Sequence, residues 1–266
     1  MKNHLQDMGN RQWCRVPVAF SFLIVSACFV IKENRNSCPC FLSVELTGTR
    51  GRPSTVLVSV PDSVFTLHSF TGDSVLNVSV PRGPVAVTAF AGGVPGDWEA
   101  LGPGGSFRIP LGEQSPPLFL DHCRFVASGE EVTVKAKLRK QFCTLELAVQ
   151  GPPGMGSPFS VRIRGVTDGL EFNGALIEGP FCCDAPVSAG KLRLPRQAPD
   201  SPLLLDITMP DQVLRTFSLG SALLKAGYDW TTPDLEDISL CLDLSVTTLT
   251  LSGPSLDSPT SISVEI

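Results

Sequence analysis

Two short stretches, Phe41-Leu42-Ser43-Val44-Glu45-Leu46 and Phe142-Cys143-Thr144-Leu145-Glu146-Leu147, decide the fold class of this chain. Both follow the pattern Phe-x-Ser/Thr-Val/Leu-Glu-Leu, and they lie 101 residues apart. In a β-strand, alternate residues face opposite sides, so each stretch is typical of a half-buried strand. The repeat at one domain length predicts two tandem copies of a β unit.

Further alternating runs surround both stretches, and Gly, Pro and Asp bound them. They cover residues 56–60, 78–80, 85–90, 132–138, 160–164, 191–194, 203–208 and 238–251. One helix is predicted, from Ser218 to Ala226, with Gly227 as its C-terminal cap. Because no helical pattern of ten or more residues separates the strands, we predict an all-β protein of two tandem Greek-key β-sandwiches.

The predicted domains follow from the repeat. An N-terminal β-sandwich is expected over residues 40–130 and a C-terminal β-sandwich over residues 131–266, with the boundary near Gly129-Glu130. Residues 132–138 are expected at the junction. The Gly-rich stretches 92–105 and 151–158 are interpreted as long loops.

The N-terminal segment indicates export. Val16–Ile31 is an apolar run that follows a basic start and contains Ser26-Ala27-Cys28. It is shorter than the roughly 20 residues that span a bilayer. We predict a lipoprotein signal peptide over residues 1–27, cleaved between Ala27 and Cys28, with a diacylglycerol and an N-acyl chain on Cys28. Residues 28–39 would form a lipidated tether. The alternative is an ordinary secretory signal, with Cys28 incidental.

Composition and motifs argue against several functions. The net charge of −5 comes without a basic block, which disfavours nucleic acid as a partner. No nucleophile elbow, zinc-protease motif, phosphate loop or dinucleotide fingerprint occurs, so neither an enzyme nor a small-molecule substrate is expected. His122 and Cys123 are adjacent and should face opposite sides of a strand.

The remaining candidate ligand residues also predict no metal or other cofactor. Asp229, Asp234, Glu236 and Asp237 surround Trp230, and capping aspartates in a turn are favoured over calcium ligation. Seven cysteines follow residue 28, an odd number, so at least one thiol should be free.

Four blocks of the sequence resemble the FimB/Mfa-type fimbrial anchor lipoproteins of Bacteroidetes. They are Cys28 with the charged spacer and Cys38-Pro39-Cys40, then residues 80–92, 139–142 and 226–238. The spacer reads Lys32-Glu33-Asn34-Arg35, close to the family's charged spacer but not identical to it. The resemblance covers about residues 28–266.

The resemblance implies a transthyretin-like tandem sandwich that fixes a fimbrial shaft subunit to the cell outer membrane. It also implies assembly by strand donation, in which an extended segment of one subunit completes the sheet of its neighbour. The candidate donor strand is 259–266, in which Ile262, Val264 and Ile266 share one face. The alternative is that this strand pairs within its own domain.

Two further functions stay open. In the family, shaft subunits lose their first strand to an arginine-specific protease, and Arg50 is a candidate cleavage site for a shaft or tip subunit. A host- or glycan-binding surface lipoprotein would use Trp98 or Trp230 as a stacking platform.

Overall fold

The structure is a computed structural model, and it describes residues 38–69, 72–93, 98–99, 104–150, 160–185, 189–209, 212–243, 248–254 and 260–263. Pro39–Ile266 forms one compact unit. The signal peptide and the tether up to residue 37, with Ala27 and Cys28, lie outside the described residues, as do Val264 and Ile266. Within the described residues, no helix is long and apolar enough to cross a membrane.

Strands dominate both halves of the described chain. The first ten are β1 (Cys40–Thr47), β2 (Ser54–Val60), β3 (Ser63–Ser69), β4 (Ser74–Val80), β5 (Gly83–Ala91), β6 (Trp98–Glu99), β7 (Ser106–Arg108), β8 (Phe119–Ala127), β9 (Glu131–Lys137) and β10 (Arg139–Lys140). They are followed by β11 (Phe142–Gln150), β12 (Ser160–Glu171), β13 (Leu176–Ala185), β14 (Ala189–Pro195), β15 (Leu204–Met209), β16 (Gln212–Ser218), helix α1 (Leu219–Lys225), β17 (Ile238–Asp243), β18 (Thr248–Ser252) and β19 (Thr260–Ser263). The all-β prediction is confirmed.

The first sandwich pairs a three-stranded sheet, β4-β1-β9, with a five-stranded sheet, β10-β8-β5-β2-β3. Alternation in β1 is strict: Cys40, Leu42, Val44 and Leu46 are buried, while Phe41 is 64% exposed. The inward residues of β1 join Val56, Val58, Val85 and Val87 of the facing sheet in one core. Burial of these aliphatic side chains holds the two sheets together.

The second sandwich pairs the sheet β14-β11-β17-β18-β19 with a sheet that contains β16, β15, β12, β7 and β6, and β13 pairs with β12. Its core includes Leu145 and Leu147 of β11 opposite Ile163 of β12 and Leu205 of β15. Helix α1 closes one side through Leu219 and Leu223. The predicted helix is confirmed, and Gly227, with φ of +85°, follows its C-cap residue Ala226.

The predicted repeat is present in the topology. Strand β1 lies between an antiparallel neighbour, β4, and a parallel neighbour, β9. Strand β11 likewise lies between antiparallel β14 and parallel β17. The hairpin β18–β19 extends the second sheet beyond this shared three-strand pattern.

The strand pairing differs from the predicted division at residue 130. Strand β9, residues 131–137, pairs along its length with β1 and therefore belongs to the first sandwich. Strand β7 comes from the first half of the chain but pairs with β12 of the second sandwich. Neither exchange is visible in a local alternation pattern, because alternation reports which face is buried and not which strand is the neighbour.

Candidate assembly site

The first strand of the fold is paired on both of its edges. Seven residue pairs join β1 to β4, from Cys40–Val80 to Leu46–Ser74, and seven join it to β9, from Phe41–Glu131 to Thr47–Lys137. The Phe41 amide also donates to the Glu130 carbonyl at 2.8 Å, and the Leu138 amide donates to the Thr47 carbonyl at 2.9 Å. Removal of β1 would therefore leave an open groove between β4 and β9 and expose the core beneath it.

The cysteines before and at the start of β1 mark where the fold begins. Cys38 is exposed, whereas Cys40 is fully buried as the first residue of β1. The predicted lipid attachment at Cys28 would thus lead through the tether directly into a central strand. Within the described residues, six thiols are free: those of Cys40, Cys123, Cys143, Cys182, Cys183 and Cys241. Burial raises the pKa of Cys143 and of Cys183 to about 12, so both remain neutral thiols at physiological pH.

The candidate protease site lies in a tight turn directly after β1. Arg50 and Gly51 both adopt left-handed backbone conformations, with φ of +53° and +73°, and the Arg52 amide donates to the Thr49 carbonyl at 3.0 Å. The guanidinium groups of Arg50 and Arg52 lie 5.3 and 4.5 Å from the ring centroid of Phe119. The turn is therefore closed by a hydrogen bond and two cation–π contacts.

The backbone before this turn is also tightly placed. Thr49 is 1% exposed, and its backbone amide and hydroxyl both donate to the Asp73 carboxylate, at 3.3 and 3.2 Å. A side chain at Gly48 would come within 2.9 Å of the Leu138 carbonyl oxygen. Movement of the turn would therefore disturb the contact between β1 and the segment that follows β9.

The last described strand, β19, is paired inside its own sheet. Thr260–Ser263 run antiparallel to β18, and Ile262 is in register with Leu249. β19 is an edge strand, so its outer backbone groups have no strand neighbour within the described residues. The intramolecular alternative for the candidate donor is thus the arrangement seen here, while Val264 and Ile266 lie beyond the described residues.

The acidic cluster around Trp230 joins the loop after α1 to β10 and to the start of β11. The Asp234 carboxylate accepts from the Lys140 amide at 2.9 Å and from Arg139 at 3.4 Å. Asp237 accepts from the Lys140 ammonium and from the Thr144 amide, and these bonds hold its pKa below the usual range although burial opposes them. Asp229 accepts from Thr231 in a local turn.

These carboxylates thus serve as structural acceptors, as the turn interpretation predicts. Among the described residues, no group of three or more His, Cys, Asp or Glu side chains is placed to hold a metal ion.

The contact between the two sandwiches also depends on two residues, Arg196 and Phe172, whose roles the sequence does not predict. Arg196 is half-buried and donates to the Trp230 and Pro233 carbonyls and to the Gln141 side chain. Burial lowers its pKa, and the surrounding carbonyl oxygens stabilise the charge. Phe172, between β12 and β13, stacks on Phe90 of the first sandwich with ring centroids 5.6 Å apart. Both act through partners more than 30 residues away, which local patterns do not reveal.

The residues considered for catalysis or stacking have structural surroundings. Cys123 packs against the core of the first sandwich, whereas His122 lines clefts on the outer face of the same sheet, as predicted. Trp230 is 5% exposed and lies edge-on against Tyr228, with ring centroids 4.8 Å apart. Trp230 therefore offers no open stacking surface; the side chain of Trp98 is outside what the structure describes.

These features define a tandem β-sandwich protein whose first strand is central in its sheet. The fold is shared by solved fimbrial and adhesin structures of Bacteroidetes. The fimbrial anchor protein Mfa2 from Porphyromonas gingivalis superimposes with a TM-score of 0.60 at 11% identity, over 82% of this chain and 98% of that protein.

Two structures from Bacteroides species show the same fold. A candidate polysaccharide-binding protein (DUF1812) from Bacteroides thetaiotaomicron has a TM-score of 0.63 at 14% identity, over 85% of this chain and 98% of that one. A candidate adhesin from Bacteroides ovatus has a TM-score of 0.58 at 12% identity, over 84% and 96%. No family model matches the chain, and no curated protein matches it by sequence.

Proposed function

We propose that this chain is a lipid-anchored fimbrial subunit of the FimB/Mfa type, which attaches a fimbrial shaft to the outer membrane. The observation that carries the proposal is the order of three features along the chain. The predicted lipid at Cys28 comes first, the doubly paired strand β1 second, and Arg50 third. The lipid and the body of the protein are therefore joined only through β1 and the turn at Arg50.

This order makes covalent anchoring of the body and processing at Arg50 mutually exclusive. Cleavage after Arg50 would leave the lipid attached to β1 alone, and the body would be held to it only by noncovalent strand pairing. Without cleavage, tension on the shaft passes through the backbone to the lipid. The eleven residues from Phe29 to Pro39 reach at most about 36–40 Å when fully extended, which sets the greatest height of β1 above the membrane.

The geometry of the turn supports the uncleaved form. A protease must bind the peptide bond in an accessible segment, and local opening controls cleavage in a folded protein. Opening at Arg50 would release its contact with Phe119, the Arg52–Thr49 hydrogen bond and the Asp73 contacts of Thr49. We expect this bond to resist cleavage relative to an unstructured Arg-Gly sequence.

For the shaft contact, we propose that the C-terminal strand exchanges partners. In the isolated chain β19 pairs with β18, at the edge of the sheet and outside the three-strand pattern that both sandwiches share. Release of β19 removes one edge ladder and leaves β14, β11 and β17 paired. Transfer of β19 to a neighbouring subunit would therefore leave this three-strand pattern intact.

The test separates anchoring from strand contact. Cys28→Ser, with residues 1–27 replaced by an ordinary cleavable secretory signal, should release fimbriae into the medium with the subunit still bound to them, because only the membrane link is lost. Deletion of residues 259–266 should leave the subunit in the membrane but without co-purifying shaft protein. The matched control is Phe41→Ala, an exposed change on β1. Fimbriae that stay on the cell with Cys28→Ser contradict anchoring, and shaft protein that still co-purifies with the deletion contradicts strand donation.

A further inference from the structure

A polar cleft of about 290 Å³ lies where the two sandwiches meet. Five separate segments form it: β8, β10 with its connection to β11, the turn between β12 and β13, the segment after β14, and the loop that follows α1. Its polar lining includes Asp121, His122, Arg139, Gln141, Asn173 and Thr231. Clefts at the meeting of two domains are a common place for small-ligand sites.

The walls of this cleft are held in place by contacts outside it. Arg196 donates to Gln141, Trp230 and Pro233, which fixes the loop against the connection between the sandwiches. Stacking of Phe172 on Phe90 fixes the β12–β13 turn against the first sandwich. A ligand would therefore meet a pre-formed site and would not have to order the walls.

His122, which lines the cleft, has one ring nitrogen without a hydrogen-bond partner in the described part of the chain. Its Nδ1 is 2.8 Å from the Thr88 hydroxyl, while its Nε2 is buried and has no partner among the described residues. A buried polar atom without a partner is unfavourable, so such an atom needs an explanation. Burial and the charge of Arg124 lower the pKa of His122, so the ring is neutral at physiological pH.

Each charged side chain that lines the cleft has a hydrogen-bond partner within the protein. Arg139 contacts the Asp234 carboxylate, and the Arg196 guanidinium is taken up by carbonyl and amide oxygens. Asp121 accepts from the Lys137 amide at 2.8 Å through one oxygen. The site therefore offers no unpaired cation to an anion, but it offers donors and acceptors side by side.

We propose that this cleft binds one neutral pyranose unit of a glycan. Sugar hydroxyl groups donate and accept at once, which suits a neutral imidazole, a carboxylate, a guanidinium and amide side chains in one site. A turn of the His122 ring would bring Nε2 to one hydroxyl, and neighbouring hydroxyls would bridge Asp121 and Arg139. The volume is at the small end of ligand pockets, which suits a single ring. This site is independent of the anchoring role.

The test is ligand-observed NMR on the full mature chain in detergent, with glucose, galactose, N-acetylglucosamine, glucuronate and inorganic phosphate as probes. At least one neutral sugar should bind, glucuronate should bind no tighter than glucose, and phosphate should not compete. His122→Ala and Arg139→Gln should each weaken binding at least fivefold. Lys191→Ala, on the outer face of the second sandwich, should leave it unchanged.

Thermal unfolding of each variant shows whether it is folded, and Arg139→Gln covers the case in which His122→Ala fails to fold. The proposal is overturned if no neutral sugar binds at 20 mM (about 2 kcal/mol of binding free energy). It is equally overturned if phosphate or glucuronate alone binds, which would make the cleft an anion site. Binding that survives both folded variants would place the sugar elsewhere.

Discussion

Two neighbouring residues of β1 provide a direct test of how that strand is built into the fold. Leu42 is fully buried and in register with Val78 and Val132, whereas Phe41, one residue earlier, is 64% exposed. Truncation of a fully buried leucine to alanine costs about 2–5 kcal/mol, because apolar contact is lost and a cavity remains. Truncation at an exposed position usually changes stability by about 0.5 kcal/mol or less.

We therefore expect Leu42→Ala to lower the free energy of unfolding by at least about 2 kcal/mol, a thirtyfold change in the folding equilibrium, and Phe41→Ala to leave it nearly unchanged. For a chain of this size, that loss corresponds to a fall in Tm of at least about 4 °C. Urea unfolding of the mature chain with Cys28→Ser, which avoids the lipid, measures both variants. Equal losses for the two variants, or a larger loss for Phe41→Ala, would refute the proposed register of β1.

Three further predictions concern the turn, the second sandwich and the protease site. Gly48→Ala should lower Tm more than Gly51→Ala. Both glycines have positive φ, but only at Gly48 would the new Cβ meet the Leu138 carbonyl oxygen. Equal Tm values for the two variants would contradict this close approach. The hydrogen bond from Arg164 lowers the pKa of Asp206, so the ionised Asp206 stabilises the fold fully above the unfolded pKa of about 3.9, and this stabilisation is lost as pH falls through the folded pKa. In urea titrations, the difference in unfolding free energy between wild type and Asp206→Asn should be constant above about pH 5 and narrow below about pH 4. A difference independent of pH would argue against the ion pair. Trypsin should cut the folded chain at Arg50 more slowly than the urea-unfolded chain, as mass spectrometry of early fragments would show. Phe119→Leu should accelerate the cut in the folded chain, because it removes the aromatic ring that Arg50 and Arg52 contact. Similar rates for the folded wild type, the folded variant and the unfolded chain would contradict the closed turn.

Much of the fold could be predicted because burial follows local alternation. The inward residues of β1 and β11 are those that the repeat indicated, and helix α1 ends at its predicted glycine cap. Strand β13 was missed, because Gly179 and Pro180 interrupt its alternation. The run 238–251, predicted as one strand, forms the two strands β17 and β18. They pair as an antiparallel hairpin, which alternation alone does not reveal.

The pairing of strands and the joint between the sandwiches depend on partners distant in sequence. Nothing near residue 131 says that β9 will run parallel to β1, and nothing near β7 says that it will leave the first sandwich for β12. The acidic residues near Trp230 were visible as a cluster, but their acceptor roles depend on Lys140 and Thr144, more than 90 residues away. The orphan Nε2 of His122 likewise emerges only from its surroundings in three dimensions.

The mass of the intact protein, extracted from the cell envelope in mild detergent, distinguishes a lipid-anchored subunit from a processed one. Lipid anchoring predicts a chain that begins at acylated Cys28 and still contains β1 and Arg50. A species that begins at Gly51, free of lipid and recovered with the fimbriae, would contradict anchoring and establish processing as a shaft or tip subunit.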